Sequence, residues 1–160
     1  MTNGQSTPPD AAKPIESRDA MPPTTPYACR IGTPSVETYQ RLRQGSGLSP
    51  KSAEAATRGL AGTLFAVQIV LDGEPVGMGR VVGDGGSFFQ VVDIAVLKPH
   101  QGRGLGKTIM VEIMKYLEQN VPETGCVSLI ADGKAKDLYA QFGFVPTAPL
   151  SIGMALKKPA

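Results

Sequence analysis

The chain has 160 residues and a net charge of +2, which suits one domain without the basic footprint of a nucleic-acid-binding protein. Hydrophobic residues make up 41% of it, enough for a core, and no apolar run approaches membrane-spanning length. Cys29, Cys126 and His100 lack metal-ligand spacing, so we expect reduced thiols and no metal. The N-terminus has no hydrophobic signal core, which favours a cytoplasmic location.

The first 26 residues are rich in Thr, Ser, Pro and Ala and contain almost no large apolar side chains. Such a segment cannot bury enough surface to offset the entropy that ordering would remove. We predict a flexible tail over residues 1–26 and a single domain over residues 27–160.

Capping signals and apolar spacing predict four helices. The first begins around Pro34, and the second begins with Ser49 as its N-cap. The third is long and follows Lys107, and the fourth covers residues 134–142 and ends at Gly143.

Short segments rich in β-branched residues predict the strands. A first strand precedes the helices at residues 27–32. Three strands joined by turns rich in Asp and Gly then form an antiparallel meander. All the later strands, in chain order, are predicted at 63–71, 76–82, 87–97, 126–131, 144–145 and 151–156.

The most informative stretch runs from Gln90 to Leu117. It contains an apolar strand broken once by Asp93, then a glycine-rich turn from Gln101 to Lys107, then an amphipathic helix. The first N–H groups of a helix have no partner inside it, and the dipole there favours negative charge. The stretch therefore predicts an anion site, typically for phosphate, at the start of the long helix.

Spacing distinguishes three phosphate-binding patterns for this turn. A P-loop needs glycine at position 101, where this chain has Gln101, and a dinucleotide fingerprint needs glycine at position 107, where it has Lys107. The pattern Q/R-x-x-G-x-G/A is met in full by Gln101, Gly104 and Gly106. In its place between a strand ending Asp-Ile-Ala-Val and a long helix, it resembles the acetyl-CoA pyrophosphate loop of the GNAT superfamily of acyl-CoA-dependent N-acyltransferases.

A second GNAT signature, N-x-x-A-x-x-L-Y-x-x-x-G-F, corresponds to residues 132–144. Asp132 stands where asparagine is usual, and the matching positions are Ala135, Leu138, Tyr139, Gly143 and Phe144. The order of predicted elements over residues 27–156 is also that of a GNAT domain. The resemblance implies an α+β fold: a mixed, mostly antiparallel central sheet with helices on both faces, splayed at its central strand.

The resemblance implies acetyl-CoA as the cosubstrate. In GNAT proteins the pantetheine arm pairs with a bulged central strand, which here carries Ile94, Ala95 and Val96. The second signature adds contacts from Asp132, Lys136 and Tyr139. The pyrophosphate is implied to bind the turn, with charge from its Arg and Lys, through Gln101, Gly102, Arg103, Gly104, Leu105, Gly106 and Lys107.

The resemblance also implies direct attack of an amine on the thioester. Tyr139 is then the candidate general acid, since a phenol in an apolar site can donate to the departing sulfur. Asp93 is the one charge in an apolar strand. It is a candidate base or ammonium-binding group, and the alternative is a buried structural hydrogen bond that shapes the bulge. Gln90 and Asp84 are lesser candidates.

The acceptor is left open, with a primary amine of a small molecule as the leading hypothesis. Phe88, Phe89 and Tyr39 would suit an aromatic or alkyl amine if they face the pocket. Glucosamine-6-phosphate N-acetylation is an alternative, but a sugar phosphate needs a basic cluster, and the candidates are Arg41, Arg43 and Arg80.

Further alternatives are protein or peptide N-acetylation, a CoA-binding sensor without activity, and a disfavoured P-loop nucleotide binder. Many GNAT proteins dimerise through their C-terminal strands. The sheet edge expected after Phe144 therefore suggests a homodimer.

Overall fold

A computed structural model describes residues 26–157, and in these residues five strands form one sheet with helices on both of its faces. The strands are β1 (Tyr27–Ile31), β2 (Thr63–Leu71), β3 (Glu74–Gly83), β4 (Phe88–Val96) and β5 (Cys126–Leu129). The helices are α1 (Val36–Ser46), α2 (Ala53–Ala61), α3 (Leu105–Asn120) and α4 (Ala135–Ala140). Strands β1 to β4 are antiparallel in sequence order, and β5 is parallel to β4. The predicted mixed, mostly antiparallel fold class is confirmed.

Helix α3 lies close against the sheet because β3 carries two glycines on that face. Its side chains Ile109, Met110 and Ile113 are fully buried there. A Cβ atom built on Gly79 would lie 2.8 Å from Cδ1 of Ile94 and would collide with Ile109. A side chain at this position would therefore push α3 and β4 away. The opposite face of the sheet is covered by α1 and α2.

Strand β4 contains a bulge opposite Gly79. Arg80 is in register with Val92, whereas Met78 is in register with Ala95, so two residues of β4 oppose one residue of β3. Asp93 lies at this point with φ of 58°. The extra residue turns the Asp93 side chain toward α1, and Ile94 joins the core beneath α3.

The sheet splays open at the same strand. β4 pairs with β5 only from Phe88 to Val91, where Val91 meets Leu129. β4 continues to Val96, and over this second half its register partners lie on β3 alone. The splay predicted at the central strand is therefore present, beginning just before the bulge.

The second helix begins later than predicted. Its N-cap is Ser52, whose side chain accepts a hydrogen bond from the Ala55 N–H, and the predicted cap Ser49 lies outside the helix. The reason is a tertiary contact: the Arg43 guanidinium binds both the carbonyl and the hydroxyl of Ser49. Likewise α1 is capped by Ser35, so Pro34 precedes the cap.

The last two predicted strands are not formed in the described residues. Residues 144–145 and 151–156 carry no strand pairing, and Leu156 is fully exposed. A strand needs a hydrogen-bonding partner, and no strand within residues 26–157 pairs with this segment. The preceding elements are shorter than predicted, at Cys126–Leu129 and Ala135–Ala140.

Two sequence predictions concern features outside the fold's core. The flexible tail falls almost wholly on residues 1–25, which lie outside the described residues. Cys29 and Cys126 are free and exposed thiols. In residues 26–157, every helix is too short or too polar to cross a membrane.

Candidate active site

The glycine-rich turn lies between a 3-10 helix at Lys98–His100 and the first residue of α3. Gly102 and Gly104 have φ of 74° and 78°, in the left-handed region that glycine adopts readily. A Cβ atom built on either glycine would meet no atom within 4 Å, so the space in front of this backbone is open.

Gly104 is the N-cap of α3 and has no side chain to satisfy the helix terminus. The first bond into the helix runs from the Thr108 N–H to the Gly104 carbonyl at 3.0 Å. The N–H groups of Leu105, Gly106 and Lys107 precede that bond, and helix geometry leaves them without an intrahelical acceptor. These N–H groups form the positive end of a 16-residue helix, which is the electrostatic environment of an anion site.

The other turn residues differ in their roles. Leu105 is buried and anchors the start of α3 in the core. Arg103 and Lys107 are exposed, and neither forms an ion pair within residues 26–157. Both are therefore free to meet a phosphate group.

Gln101 ties the turn to the end of β4. Its side-chain Nε2 donates to the Val96 carbonyl at 2.8 Å, and its backbone N–H bonds the Lys98 carbonyl. Its own N–H is thus engaged within the turn, and its side chain fixes the turn against the strand that carries Ile94, Ala95 and Val96.

Tyr139 lies on α4 and is 8% exposed. Its ring meets Phe144 edge to face at 6.4 Å between centroids. Burial, with a smaller contribution from the Asp132 carboxylate, raises the pKa of the Tyr139 phenol. The phenol therefore keeps its proton at neutral pH and can act as a donor.

A pocket of about 520 Å³ lies between the end of β5, α4 and the C-terminal segment. Tyr139 and Lys136 both line it, together with Phe144. Asp132 is exposed at the approach to α4. Helix α4 is held against the turn by Leu138, whose Cδ2 would lie 3.3 Å from a Cβ atom at Gly106.

Asp93 is held in a buried cluster on the α1 side of the sheet. Its Oδ1 accepts from Arg43 Nη1 and its Oδ2 accepts from Arg80 Nη1 at 2.9 Å. The three side chains are only 8%, 8% and 4% exposed, in the order Asp93, Arg43 and Arg80. Both carboxylate oxygens are thus occupied by guanidinium groups, which is the structural arrangement that the sequence left as the alternative to a base.

Tyr39 completes this cluster. Both guanidinium groups lie over its ring, at 5.6 Å for Arg43 and 5.5 Å for Arg80, and its hydroxyl lies 3.4 Å from Asp93 Oδ1. Burial and the Asp93 charge raise the pKa of the Tyr39 phenol. Both arginines were candidates for a sugar-phosphate site, and their pairing with Asp93 was not predicted from the sequence.

Asp84 and Gln90, the lesser catalytic candidates, both make structural contacts within the sheet and its turns. The Asp84 carboxylate accepts backbone hydrogen bonds from Gly86, Ser87 and Phe88, which lower its pKa and shape the β3–β4 turn. Gln90 is in register with residues of both neighbouring strands. In residues 26–157, no group of three or more His, Cys, Asp or Glu side chains is placed to hold a metal ion.

A splayed sheet with a bulged central strand, followed by an open glycine turn at a helix N-terminus, defines the acetyltransferase fold that the sequence motifs resemble. The chain belongs to the GNAT family: a family model described as an acetyltransferase (GNAT) domain matches residues 43–152. The predicted family is confirmed, and the chain carries an acetyltransferase domain.

Known proteins match the chain to different extents. A protein of unknown function from meticillin-resistant Staphylococcus aureus, for which acetyltransferase activity has been suggested, is 48% identical with a TM-score of 0.79, and the match covers 82% of this chain and 99% of that one. GCN5-related N-acetyltransferase 2 of Arabidopsis thaliana, a chloroplastic protein, is 33% identical over 43% of this chain. That match spans only 26% of the plant protein's length.

A third match concerns the fold alone. Glucosamine-6-phosphate N-acetyltransferase of Arabidopsis thaliana has a TM-score of 0.59 at 18% identity, covering 81% of this chain and 98% of that one. The shared fold therefore extends to a protein of distant sequence.

Proposed function

We propose that this domain transfers the acetyl group of acetyl-CoA to a primary amine of a small molecule by direct attack of the amine on the thioester. The observation that carries the proposal is the open turn at the N-terminus of α3, which lies beside the unpaired half of β4. This arrangement offers N–H groups to a pyrophosphate and a free strand edge to an extended amide-containing arm. Bound acetyl-CoA would supply the activated acyl group.

Different groups of the turn would bind different parts of acetyl-CoA. The N–H groups of Leu105, Gly106 and Lys107 would receive the pyrophosphate oxygens, and the exposed Arg103 and Lys107 side chains would add charge. Gln101 would hold the turn in register with β4, so that the phosphates and the pantetheine arm are bound at a fixed separation.

Tyr139 is proposed as the general acid. When the amine nitrogen forms its bond to the acetyl carbon, the carbon–sulfur bond breaks and the electron pair goes to sulfur. A protonated phenol can donate to that sulfur, and the raised pKa of Tyr139 keeps the phenol protonated. Because only the neutral amine can attack, the acceptor ammonium first loses a proton to solvent or to a group of the acceptor site. The proton that leaves nitrogen as the amide forms then restores the phenol that has protonated the sulfur.

Tyr139→Phe should lower kcat about 100-fold, in the range of general acid catalysis, and leave acetyl-CoA affinity nearly unchanged. The phenylalanine keeps the ring contact with Phe144 and removes only the donor. The native pH–rate profile should lose activity only above the ordinary tyrosine pKa of 10.0, because the shift is upward. An unchanged kcat in the variant would remove Tyr139 from the acid role.

The placement of three arginines bears on the acceptor. Arg43 and Arg80 are buried and bound to Asp93. Arg41 donates to the Pro75 carbonyl and lies 3.9 Å from Glu74. They form no free basic cluster, which favours an acceptor without a phosphate over glucosamine 6-phosphate.

The three aromatic residues that the sequence suggested for an amine pocket do not lie together. Phe89 and Tyr39 lie in different cores, on opposite faces of the sheet, and Phe88 is largely exposed. The expectation that they jointly line an amine pocket is therefore wrong. The pocket beside Tyr139 is the better candidate, since its other walls are mostly apolar.

The test of the function is thiol release from acetyl-CoA with arylalkylamines, polyamines, amino acids, glucosamine 6-phosphate and short peptides. We expect turnover with one class of small amine. Turnover with peptides alone would instead indicate protein N-acetylation. Bound acetyl-CoA with no turnover on any amine would indicate a CoA-binding sensor. The cytoplasmic location stays a prediction.

We further propose a homodimer in which the C-terminal segment of one copy pairs with β5 of the other. β5 lies at the end of the sheet with β4 as its strand neighbour, and Ile130 beside it is 66% exposed. In residues 150–156 every second side chain is apolar and exposed, which is the pattern of a strand that has one face to bury. The apolar positions are Leu150, Ile152, Met154 and Leu156.

The double substitution Ile152→Asp with Met154→Asp should convert the dimer to a monomer, because it places charge on the face that would be buried. Ser151→Asp changes the intervening position on the other face and should leave the dimer intact. Light scattering across a concentration series measures both. A native chain that stays monomeric at the highest concentration contradicts the proposal.

A further inference from the structure

We infer that Arg43 and Arg80, acting through Asp93, are positioning residues that fix the α1–α2 connection and the bulge of β4 in one geometry. Resting on the proposed function, this inference ties the bulge, on the cofactor side of the site, to the α1–α2 connection, residues 47–52, through Arg43. The cluster would then couple the geometry of the connection to the strand edge that is proposed to bind acetyl-CoA.

Arg43 supplies the link between the two segments. Its Nε donates to the Ser49 carbonyl at 2.8 Å and its Nη2 to the Ser49 hydroxyl at 3.3 Å. Its Nη1 donates to Asp93 Oδ1. A single planar guanidinium thus binds the connection on one side and β4 on the other.

Arg80 holds the carboxylate from the opposite side. Its Nη1 donates to Asp93 Oδ2 at 2.9 Å, its Nη2 to the Gly59 carbonyl at 2.8 Å, and its Nε to the Thr63 hydroxyl at 3.1 Å. These contacts fix Asp93 to the end of α2 and the start of β2. The carboxylate therefore cannot follow the connection without breaking an ion pair.

The ion pairs of Asp93 hold its backbone in the conformation that bends strand β4. Its φ of 58° lies in a region that residues with a side chain seldom occupy. The next three residues, 94–96, form the half of β4 that has no register partner on β5. Loss of the ion pairs would let the bulge relax, and the edge offered to the pantetheine arm would move with it.

Protein groups bind the guanidinium nitrogens of the cluster. Each of the six guanidinium nitrogens already donates to a protein acceptor, and the described residues contain no buried side-chain polar atom without a partner. The side chains are also closed off from solvent. They act through the segments they hold, and not by touching a substrate.

Arg43→Lys tests the coupling, because an ammonium keeps the charge but cannot reach Ser49 and Asp93 together as the planar fork does. Arg41→Lys, on the same helix and outside the cluster, is the matched control. Amide hydrogen exchange should increase at least about tenfold in both residues 47–52 and residues 93–97 of Arg43→Lys, and in neither segment of the control. Acetyl-CoA dissociation constant should rise about tenfold while the melting transition stays cooperative.

The two readouts separate the possible failures. Faster exchange in only one of the segments would overturn the coupling, whatever the chain binds. Exchange that becomes faster in both segments while acetyl-CoA affinity and acceptor KM stay unchanged would show that the cluster is merely structural. That result would also overturn the inference. If the native chain binds no acetyl-CoA, the proposed function fails, and the exchange measurement alone decides whether the two segments are coupled.

Discussion

Gly104→Val is expected to abolish acetyl-CoA binding, with a loss of at least about 100-fold in affinity. The valine side chain would fill the open space in front of the first N–H groups of α3, where a Cβ atom now has no neighbour within 4 Å. A pyrophosphate would then lose two or more charge-assisted hydrogen bonds, each contributing about 1.5–3 kcal/mol. Isothermal titration of the folded variant with acetyl-CoA measures the effect.

Gly73→Val is the matched control. Gly73 has φ of 86° in the β2–β3 turn, and a Cβ atom there also has no neighbour within 4 Å. The two variants therefore share the cost of a β-branched residue in the left-handed region, about 1–2 kcal/mol, and differ in their distance from the proposed anion site. Retained affinity in Gly104→Val would show that this turn does not hold the pyrophosphate.

Asp93→Asn is expected to reduce the free energy of unfolding by about 3–5 kcal/mol. Asparagine has nearly the same shape and tolerates positive φ, so the change isolates the loss of charge. It leaves the guanidinium groups of Arg43 and Arg80 buried with no counter-charge among their direct partners. Urea unfolding at neutral pH measures the change.

Asp72→Asn provides the control for that experiment. Asp72 also has positive φ, at 49°, but it is exposed in the β2–β3 turn, so the expected change is within about 0.5 kcal/mol. Adding Arg80→Met to the Asp93→Asn variant removes one uncompensated charge and should restore part of the loss. A cost below about 1 kcal/mol for Asp93→Asn would show that the carboxylate is not needed to neutralise the arginines.

The glycine-rich turn and the helix that follows it were largely predictable because they depend on local backbone geometry. The spacing of Gln101, Gly104 and Gly106 indicated a turn that approaches a ligand closely, and the structure has positive φ at Gly102 and Gly104. Apolar periodicity likewise predicted the helix that supplies the dipole. Features of this kind are local, so a short stretch of sequence contains all the information they need.

The cluster around Asp93 could not be predicted because its partners are distant in sequence. Arg43 is 50 residues away and Arg80 is 13 residues away, and no local pattern indicates that they meet. The same contact explains the misplaced helix start. Ser49 and Ser52 are equally good caps by residue type, and only the tertiary contact with Arg43 decides between them.

The C-terminal strands illustrate a different limit. The strands predicted from alternating apolar residues are not formed, because strand pairing depends on what lies beside the segment. In the described residues no strand pairs with residues 151–156, and Ile152 and Met154 remain exposed. Alternation of apolar residues alone therefore does not decide whether a segment pairs as a strand.

Gly77 and Gly79 determine how closely helix α3 packs against the sheet. Their missing side chains seat α3 directly on β3, so the position of the anion site follows from the protein's interior. The α1–α2 connection and the C-terminal segment, by contrast, are mostly exposed. Under the proposed function, substitutions in these two surface segments would therefore change acceptor specificity without moving the N-terminus of α3, and acetyl-CoA binding would be kept.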